Sequence, residues 1–100
     1  SLVAEVAGGD ERNLIGVGRL IANSDHTPAE YAVLVGDPWQ GIGVGSLLTD
    51  NCLGLCRRWN LQRIVAETAT DNYRMIAMFR HRGFTLKTIP PDTIVVAKQL

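Results

Sequence analysis

The amino-acid sequence predicts an α+β domain, a mixed β-sheet with flanking helices, in the order β-β-β-α-β-α-β-β. Two observations lead to this class. Apolar residues alternate with a period of two in the first third of the chain and near its end, whereas in the middle they recur at helical spacing. The chain has 100 residues, of which 46% are hydrophobic and 20% charged. This length and composition predict a single domain over residues 1–100 with one core.

Three strands are predicted before the first helix. Segments 2–6 and 14–21 are joined by Gly8-Gly9-Asp10, which favours a hairpin. The third strand, Ala29–Val35, is apolar at both sets of alternating positions. This pattern is typical of a strand in the middle of a sheet with both faces covered. Asp37-Pro38 would end it.

A change of apolar period marks the first helix, which we expect to begin at Val44. Asp50, Arg57 and Arg58 fall outside its apolar stripe. The segment therefore predicts an amphipathic helix that packs one face on the sheet. The residues of the stripe are Val44, Leu47, Leu48, Cys52, Leu55 and Trp59.

A strand over residues 61–67 and a second helix follow. We predict Asp71 as the N-cap of this helix and Gly83 as the residue that ends it. Its apolar residues are Met75, Ile76 and Phe79. Strands over 84–89 and 93–97 then close the chain around a turn at Pro90-Pro91.

The charges are unevenly distributed, although the formal net charge is zero. The first half carries seven acidic residues and two arginines, and the second half carries eight basic and three acidic residues. A balanced total argues against a nucleic-acid partner, which requires a long basic field. The basic second half suits either a solvated face or a compact polyanion such as a phosphorylated cofactor.

Several other classes of protein and site are disfavoured. No apolar run approaches the roughly 18 residues that span a bilayer, and no signal peptide is visible, so we expect a cytoplasmic protein without a membrane partner. Cys52 and Cys56 are four residues apart, and with only two histidines in the chain no zinc spacing appears. We expect no metal, and two small core residues with free thiols.

The most informative segment is Gln40-Gly41-Ile42-Gly43-Val44-Gly45-Ser46, in which three alternate glycines precede the first helix. Glycine lets the backbone approach a ligand and adopt φ > 0, and a helix start offers N–H groups to an anion. A tight connection without a ligand remains the alternative. A P-loop is excluded because no lysine follows Gly45, and a dinucleotide fingerprint because Ser46 replaces its third glycine.

On these residues the chain resembles the GNAT superfamily of N-acetyltransferases. Its signature, Gln/Arg-x-x-Gly-x-Gly/Ala, is matched by Gln40, Gly43 and Gly45, and the second helix ends in Gly83-Phe84 as in the family. The third strand and Trp39-Gln40-Gly41 are similar to bacterial protein-lysine acetyltransferase domains. The resemblance implies the GNAT-like acyl-CoA N-acyltransferase fold over almost the whole chain. By this resemblance the usual N-terminal strand and two helices are missing, so a truncated domain is expected.

The resemblance implies acetyl-CoA as the co-substrate. Backbone amides from Gly41 to Ser46 would hold its pyrophosphate, and the third strand would pair with its pantetheine arm. One arginine among Arg74, Arg80 and Arg82 would meet the 3′-phosphate. The implied cofactor-binding residues are Val33, Leu34, Val35, Gln40, Gly41, Ile42, Gly43, Val44, Gly45, Ser46 and Asn72, the last of them near the cofactor sulfur.

Acetyl transfer to an amine requires a base, because a lysine amine with a pKa of ~10.4 is protonated at neutral pH. Glu30 is the candidate catalytic residue: it is the only charge in the third strand, where a carboxylate deprived of water would be a stronger base. The protein-acetyltransferase branch of the family also places its catalytic glutamate on this strand, ten residues before the signature glutamine, as here. A glutamate that simply reaches solvent is the alternative. Phe79 stands where many relatives carry a tyrosine acid, and Tyr73 is a substitute.

Two functions of different kinds follow. The first is an N-acetyltransferase that moves an acetyl group from acetyl-CoA to a primary amine, such as a protein lysine, by direct transfer with Glu30 as general base. The alternative is a non-catalytic acyl-CoA-binding regulatory domain, which Phe79 and the missing N-terminal elements favour. In either case we expect part of a larger chain or a homodimer.

Overall fold

The computed structural model describes residues 2–9, 14–22, 28–35 and 43–100. Within these residues the elements follow the predicted order. The strands are β1 (Leu2–Gly9), β2 (Leu14–Ala22), β3 (Ala29–Val35), β4 (Arg63–Ala69), β5 (Thr85–Ile89) and β6 (Thr93–Gln99). The helices are α1 (Val44–Arg58), between β3 and β4, and α2 (Tyr73–His81), between β4 and β5.

The strands form one mixed sheet in the order β1-β2-β3-β4-β6-β5. Neighbours pair antiparallel except β3 and β4, which are parallel and joined through α1. The predicted hairpins β1–β2 and β5–β6 and the central position of β3 are therefore confirmed. The β1–β2 ladder extends further than expected, to the pair Gly9–Leu14, after a register shift at Gly8.

Strand β3 is covered on one face, so the expectation that both faces are covered is wrong for the described residues. Tyr31 contacts both helices, because its hydroxyl hydrogen-bonds Thr49 of α1 and its ring meets Phe79 of α2 edge-on. The two helices thus pack on the same face of the sheet. On the opposite face Glu30, Ala32 and Leu34 are exposed, Leu34 to 71%.

The buried face of α1 differs slightly from the predicted stripe. Leu47, assigned to the stripe, is 58% exposed, whereas the polar Thr49 is fully buried. Thr49 can be buried because the Tyr31 hydroxyl satisfies its hydrogen-bonding group, which a pattern of apolar residues does not reveal. The buried residues of α1 are Leu48, Thr49, Cys52, Leu53 and Cys56.

Helix α1 ends with a left-handed residue, Asn60, at φ 56°. The Leu61 N–H then donates to the Cys56 carbonyl, and this bond closes the helix in the manner of a Schellman motif. Leu61 is therefore used in the helix end. For this reason β4 begins at Arg63 and not at residue 61 as predicted.

The N-cap of α2 is Asn72, which corrects the prediction of Asp71. The Asn72 Oδ1 accepts a hydrogen bond of 3.2 Å from the Met75 N–H, as an N-cap side chain does. The predicted C-terminal signal is confirmed. Gly83 has φ 82°, and the Phe84 N–H donates to the Phe79 carbonyl.

The core lies between the sheet and the two helices. Phe79 packs edge-on against Tyr31 and Phe84, at centroid distances of 6.4 and 4.9 Å. Cys52 and Cys56 are buried and free, which confirms them as small core residues. A hydrogen bond with Cys56 and burial raise the pKa of the Cys52 thiol, so it stays protonated. Neither helix of the described chain has the length and apolar character to cross a membrane.

Candidate functional site

The site begins where the parallel pairing of β3 and β4 stops. Both strands have seven residues, but only three pairs form, the last of them Tyr31–Ala66. Beyond this pair β3 keeps its antiparallel partner β2, and β4 keeps β6. Among the described residues, the edge of β3 that faces β4 therefore has no strand partner at Val33 and Leu34. A peptide-like ligand can pair with such an edge.

A groove of about 530 Å³ opens beside this edge. Its walls come from the last residues of β3, the first turn of α1 and one face of α2. The volume lies within the usual range for a small-molecule site. The described residues that line it are Val33, Leu34, Val35, Gly43, Gly45, Ser46, Asn72, Arg74, Met75, Ala77, Met78, His81 and Arg82.

The first turn of α1 presents main-chain N–H groups at this groove. Gly43 is the N-cap, and a glycine offers no side chain that could hydrogen-bond the helix start. The first intrahelical bond of the α1 start runs from the Leu47 N–H to the Gly43 carbonyl, at 3.0 Å. The three residues before Leu47 therefore carry N–H groups without an acceptor in the helix, and a helix N-terminus of this kind attracts an anion.

The two described glycines of this turn have different physical roles. Gly43 has φ 92°, a conformation that favours glycine, as expected from the sequence. A Cβ at Gly45 would lie 3.7 Å from Val35 Cγ2 and 3.8 Å from Met75 Cε, which is ordinary contact. Packing inside the protein thus permits a methyl group at Gly45. Because Gly45 has no side chain, the space between Val35 and Met75 in the groove wall is open.

Helix α2 forms the basic wall. Arg74, His81 and Arg82 line the groove, and none of its described lining residues is acidic. Arg82 is committed elsewhere: its Nε and Nη2 donate to the two Asp50 carboxylate oxygens at 2.8 and 3.1 Å, and its Nη1 donates to the Met78 carbonyl. Of the three arginines considered for a 3′-phosphate, Arg74 is the one that lines the groove without an ion pair to a described residue.

A second cavity, of about 450 Å³, lies on the open face of the sheet. Glu30 and Glu67 both line it, together with Arg19 and apolar residues of β2, β3, β4 and β6. Glu30 faces Val65 in the parallel ladder, and Glu67 lies two residues further along β4. The two carboxylates therefore share a face on adjacent strands, beside the point where the ladder ends. This cavity carries two carboxylates and one guanidinium group, whereas the charged groups that line the groove are basic.

The structure brings seven of the predicted cofactor-binding residues to the groove: Val33, Leu34, Val35, Gly43, Gly45, Ser46 and Asn72. Val44 is not among the lining residues. The prediction assigned its backbone amide to the pyrophosphate, and that amide lies in the first turn of α1. Gln40, Gly41 and Ile42 lie outside the described residues.

Glu30 lies in the second cavity, and its side chain is exposed. Apolar residues line this cavity beside it, but the loss of water expected for Glu30 is not found among the described residues. The strand places Ala29 and Tyr31 toward the helices, and the alternation of side chains along a strand turns Glu30 to the open face.

Neither Phe79, which replaces the tyrosine of many relatives, nor the substitute Tyr73 lines the groove. Phe79 is fully buried in the core, and Tyr73 is 77% exposed. Sequence reasoning missed Met75, Met78 and His81 as groove residues, and Glu67 in the second cavity. The spacing of three between Met75, Met78 and His81 places them on one helix face, but it does not show what that face contacts.

The chain matches the family model described as the acetyltransferase (GNAT) family, over residues 2–84. The chain belongs to the GNAT family. This match confirms the family resemblance found in the signature residues, and the mixed sheet with two helices is the GNAT acyl-CoA N-acyltransferase fold. The groove described above lies at the GNAT signature, since Gly43 and Gly45 belong to both.

Solved structures with the same fold include several acetyltransferases. The GNAT domain of PAT from S. lividans is 28% identical, with a TM-score of 0.83, and the match covers 98% of this chain and 61% of that one. The IAA acetyltransferase from Bacillus cereus is 16% identical, with a TM-score of 0.82, and coverages of 96% and 77%. A GNAT superfamily phosphinothricin acetyltransferase from Sinorhizobium meliloti, in complex with AcCoA, is 22% identical, with a TM-score of 0.81, and coverages of 96% and 60%.

This GNAT chain is thus shorter than these proteins, spanning 60% to 77% of their lengths.

Proposed function

We propose that this chain is the acetyl-CoA-binding and catalytic domain of an N-acetyltransferase that acts on a primary amine, such as a protein lysine. The observation that carries the proposal is the opposite charge of two neighbouring cavities. The groove has a basic wall and a helix N-terminus, and the second cavity has two carboxylates. An anionic coenzyme suits the first, and a cationic amine suits the second.

The groove residues divide according to the parts of acetyl-CoA. The N–H groups of the α1 first turn are suited to the pyrophosphate, and Arg74 to the 3′-phosphate. The free edge of β3 at Val33 and Leu34 is suited to the amide groups of the pantetheine arm. Met75 and Met78 supply apolar contact for the arm. Such an arrangement directs the thioester toward the end of the β3–β4 ladder.

The two cavities are lined by consecutive residues of β3. Residues 30–32 belong to the second cavity and 33–35 to the groove. An amine in the second cavity would therefore approach a thioester near Ala32 and Val33. In the proposed step the amine nitrogen attacks the thioester carbonyl carbon, the C–N bond forms, the C–S bond breaks, and the CoA thiolate leaves. Glu30 takes up the proton of the ammonium group, which leaves a neutral amine for the attack, and the second proton that the nitrogen loses passes to the departing CoA thiolate.

Glu30 and Glu67 provide a matched pair of variants for testing this step. We expect Glu30→Gln to lower kcat/KM on the order of 10²–10⁴-fold at neutral pH, because it removes the base. Glu67→Gln removes a carboxylate from the same cavity and should change kcat/KM by less than about tenfold. The measurement is CoA release during acetylation of a lysine peptide. Coenzyme A affinity, measured by calorimetry, should stay the same in both variants.

Three outcomes would contradict parts of this proposal. Unchanged kcat/KM in Glu30→Gln would remove Glu30 from the mechanism. A large loss in Glu67→Gln alone would transfer the role of base to Glu67. Binding of acetyl-CoA without CoA release from any amine would favour the alternative, a non-catalytic acyl-CoA-binding domain. The buried Phe79 and exposed Tyr73 are the observations that favour this alternative, because neither offers a proton donor in the groove.

A further inference from the structure

Gly16 lies in β2, outside both cavities, at a position where a side chain would crowd its neighbours. A Cβ at this position would lie 3.0 Å from the Leu34 carbonyl oxygen, 3.1 Å from Leu48 Cδ1 and 3.1 Å from Val44 Cγ1. Ordinary contact begins at 3.4 Å. The backbone conformation is not the reason, since the described glycines with positive φ are Gly43 and Gly83. A side chain at residue 16 would therefore require these neighbouring groups to move by a few tenths of an ångström.

Of these neighbours Leu34 lines the groove, and Val44 and Leu48 belong to the helix whose first turn contributes Gly45 and Ser46 to it. Leu34 lies in the free edge of β3, and Val44 lies in the first turn of α1, between Gly43 and Gly45. Leu48 is one turn further along the same helix. Because residue 16 has no side chain, α1 packs close to β2 beside the main chain of β3. Residue 16 therefore lies at a contact shared by β3 and the start of α1.

We infer that Gly16 is a positioning residue for the coenzyme groove, and this inference rests on the proposed function. A methyl group at residue 16 meets a main-chain oxygen on one side and α1 side chains on the other. The β2–β3 ladder holds Leu34, because Val17 faces it in register. The helix is therefore the part that yields, and its first turn moves away from the strand edge by a few tenths of an ångström.

Gly18 is a matched control two residues along the same strand. Like Gly16 it is buried, and a Cβ there would also meet its neighbours at 3.1 Å. Those neighbours are Cε1 and Oη of Tyr31, in the core and not in the groove wall at the helix start. Alanine at Gly18 and alanine at Gly16 therefore add the same group under similar crowding. They differ in the group that the new methyl displaces, which is the start of α1 for Gly16→Ala and the Tyr31 ring for Gly18→Ala.

The experiment measures coenzyme A binding by calorimetry, the KM for acetyl-CoA and kcat, together with the Tm of each variant. We expect Gly16→Ala to weaken coenzyme A binding and raise the KM about tenfold, since small displacements of binding groups have effects of this order. The kcat at saturating acetyl-CoA should fall less. Gly18→Ala should lower the Tm to a similar extent but leave coenzyme A affinity within about twofold.

A second variant tests the contact itself. Val44→Ala removes the methyl group that a Cβ at residue 16 would meet. In this background Gly16→Ala should weaken binding by only about threefold, because one contact is removed while those with the Leu34 oxygen and Leu48 Cδ1 remain. If Gly16→Ala alone does not fold, this double variant is compared with Val44→Ala, and an equal affinity in the two would overturn the inference.

The results separate the inference from the proposed function. No coenzyme A binding to the unaltered chain would reject the proposed function. Binding to the unaltered chain with the same affinity in Gly16→Ala would reject the inference alone. Equal weakening in Gly16→Ala and Gly18→Ala at equal loss of Tm would also reject it, because this result indicates general destabilisation.

Discussion

The hydroxyl oxygens of Tyr31 and Thr49 lie 3.0 Å apart in the core, where they link the central strand β3 to helix α1. Thr49 is fully buried, and Tyr31 is 4% exposed. Burial raises the pKa of Tyr31, so its hydroxyl stays protonated and is a core group. The pair lies between the short β3–β4 ladder and the helix that carries the groove.

This pair predicts a non-additive effect on stability. Tyr31→Phe or Thr49→Val alone leaves one hydroxyl buried without its partner, and each should lower the free energy of unfolding by ~1–3 kcal/mol. The double variant leaves no unpaired hydroxyl, so its loss should be smaller than the sum of the two single losses. Urea denaturation of the four proteins provides the measurement. Strictly additive losses would mean that the hydrogen bond contributes nothing.

Gly45 tests whether the groove holds the coenzyme. Because a Cβ at Gly45 makes only ordinary contacts, Gly45→Ala should keep its Tm while placing a methyl group between Val35 and Met75. We expect coenzyme A affinity to fall about tenfold, which corresponds to ~1.4 kcal/mol. Isothermal titration calorimetry measures this change.

The control for Gly45 lies in the same helix. A Cβ at Gly54 would have no described neighbour within 4 Å, and Gly54 does not line the groove. Gly54→Ala should raise the free energy of unfolding by ~1 kcal/mol through helix propensity, with coenzyme A affinity unchanged. Normal affinity in Gly45→Ala would place the ligand elsewhere.

Asn72 has a structural role that can be separated from its proposed binding role. Its Oδ1 caps α2, and the residue also lines the groove. Asn72→Ala should lower the free energy of unfolding by ~1 kcal/mol, whereas Asn72→Ser keeps a capping oxygen and should lose much less. If the side-chain amide contacts acetyl-CoA, both variants should raise the KM for acetyl-CoA. A KM that rises only in Asn72→Ala would assign Asn72 to capping alone.

The ion pair between Asp50 and Arg82 predicts a dependence of stability on pH. The hydrogen bond from Arg82 holds the pKa of Asp50 below its ordinary value of 3.8. A carboxyl group with a lowered pKa in the folded state stabilises the protein above its unfolded-state pKa. That contribution is lost as the pH falls through the folded-state pKa. The Asp50 side chain is 57% exposed, so solvent screening keeps the contribution below ~1 kcal/mol.

We therefore expect Asp50→Asn to be less stable than the unaltered chain at pH 7 and equally stable near pH 2. Asp71→Asn serves as the control, because the Asp71 carboxylate has no ion pair among the described residues. Asp71→Asn removes the same charge without breaking such an ion pair, so it should cost less stability at pH 7 than Asp50→Asn. Thermal unfolding followed by circular dichroism measures both variants. A difference for Asp50→Asn that persists at pH 2 would contradict the assignment.

The order of the elements, both hairpins and the glycine turn before α1 were determined by the sequence alone. These features depend on local chemistry. Apolar period distinguishes strand from helix, and residues such as Gly43 and Gly83 adopt the φ values that their turns require. The helix ends were predicted to within a residue or two, because caps compete locally: Asp71 and Asn72 are adjacent, and both can accept the capping bond.

The tertiary structure decided where the chemistry lies. Three features depend on contacts between distant segments. The β3–β4 ladder ends early, the groove is separate from the cavity of Glu30, and Arg82 pairs with Asp50, 32 residues away. The need for glycine at residue 16 is of the same kind, since its neighbours come from β3 and α1. Local pattern cannot reveal these contacts because they arise only when the packing of helices on the sheet fixes distances between segments far apart in the chain.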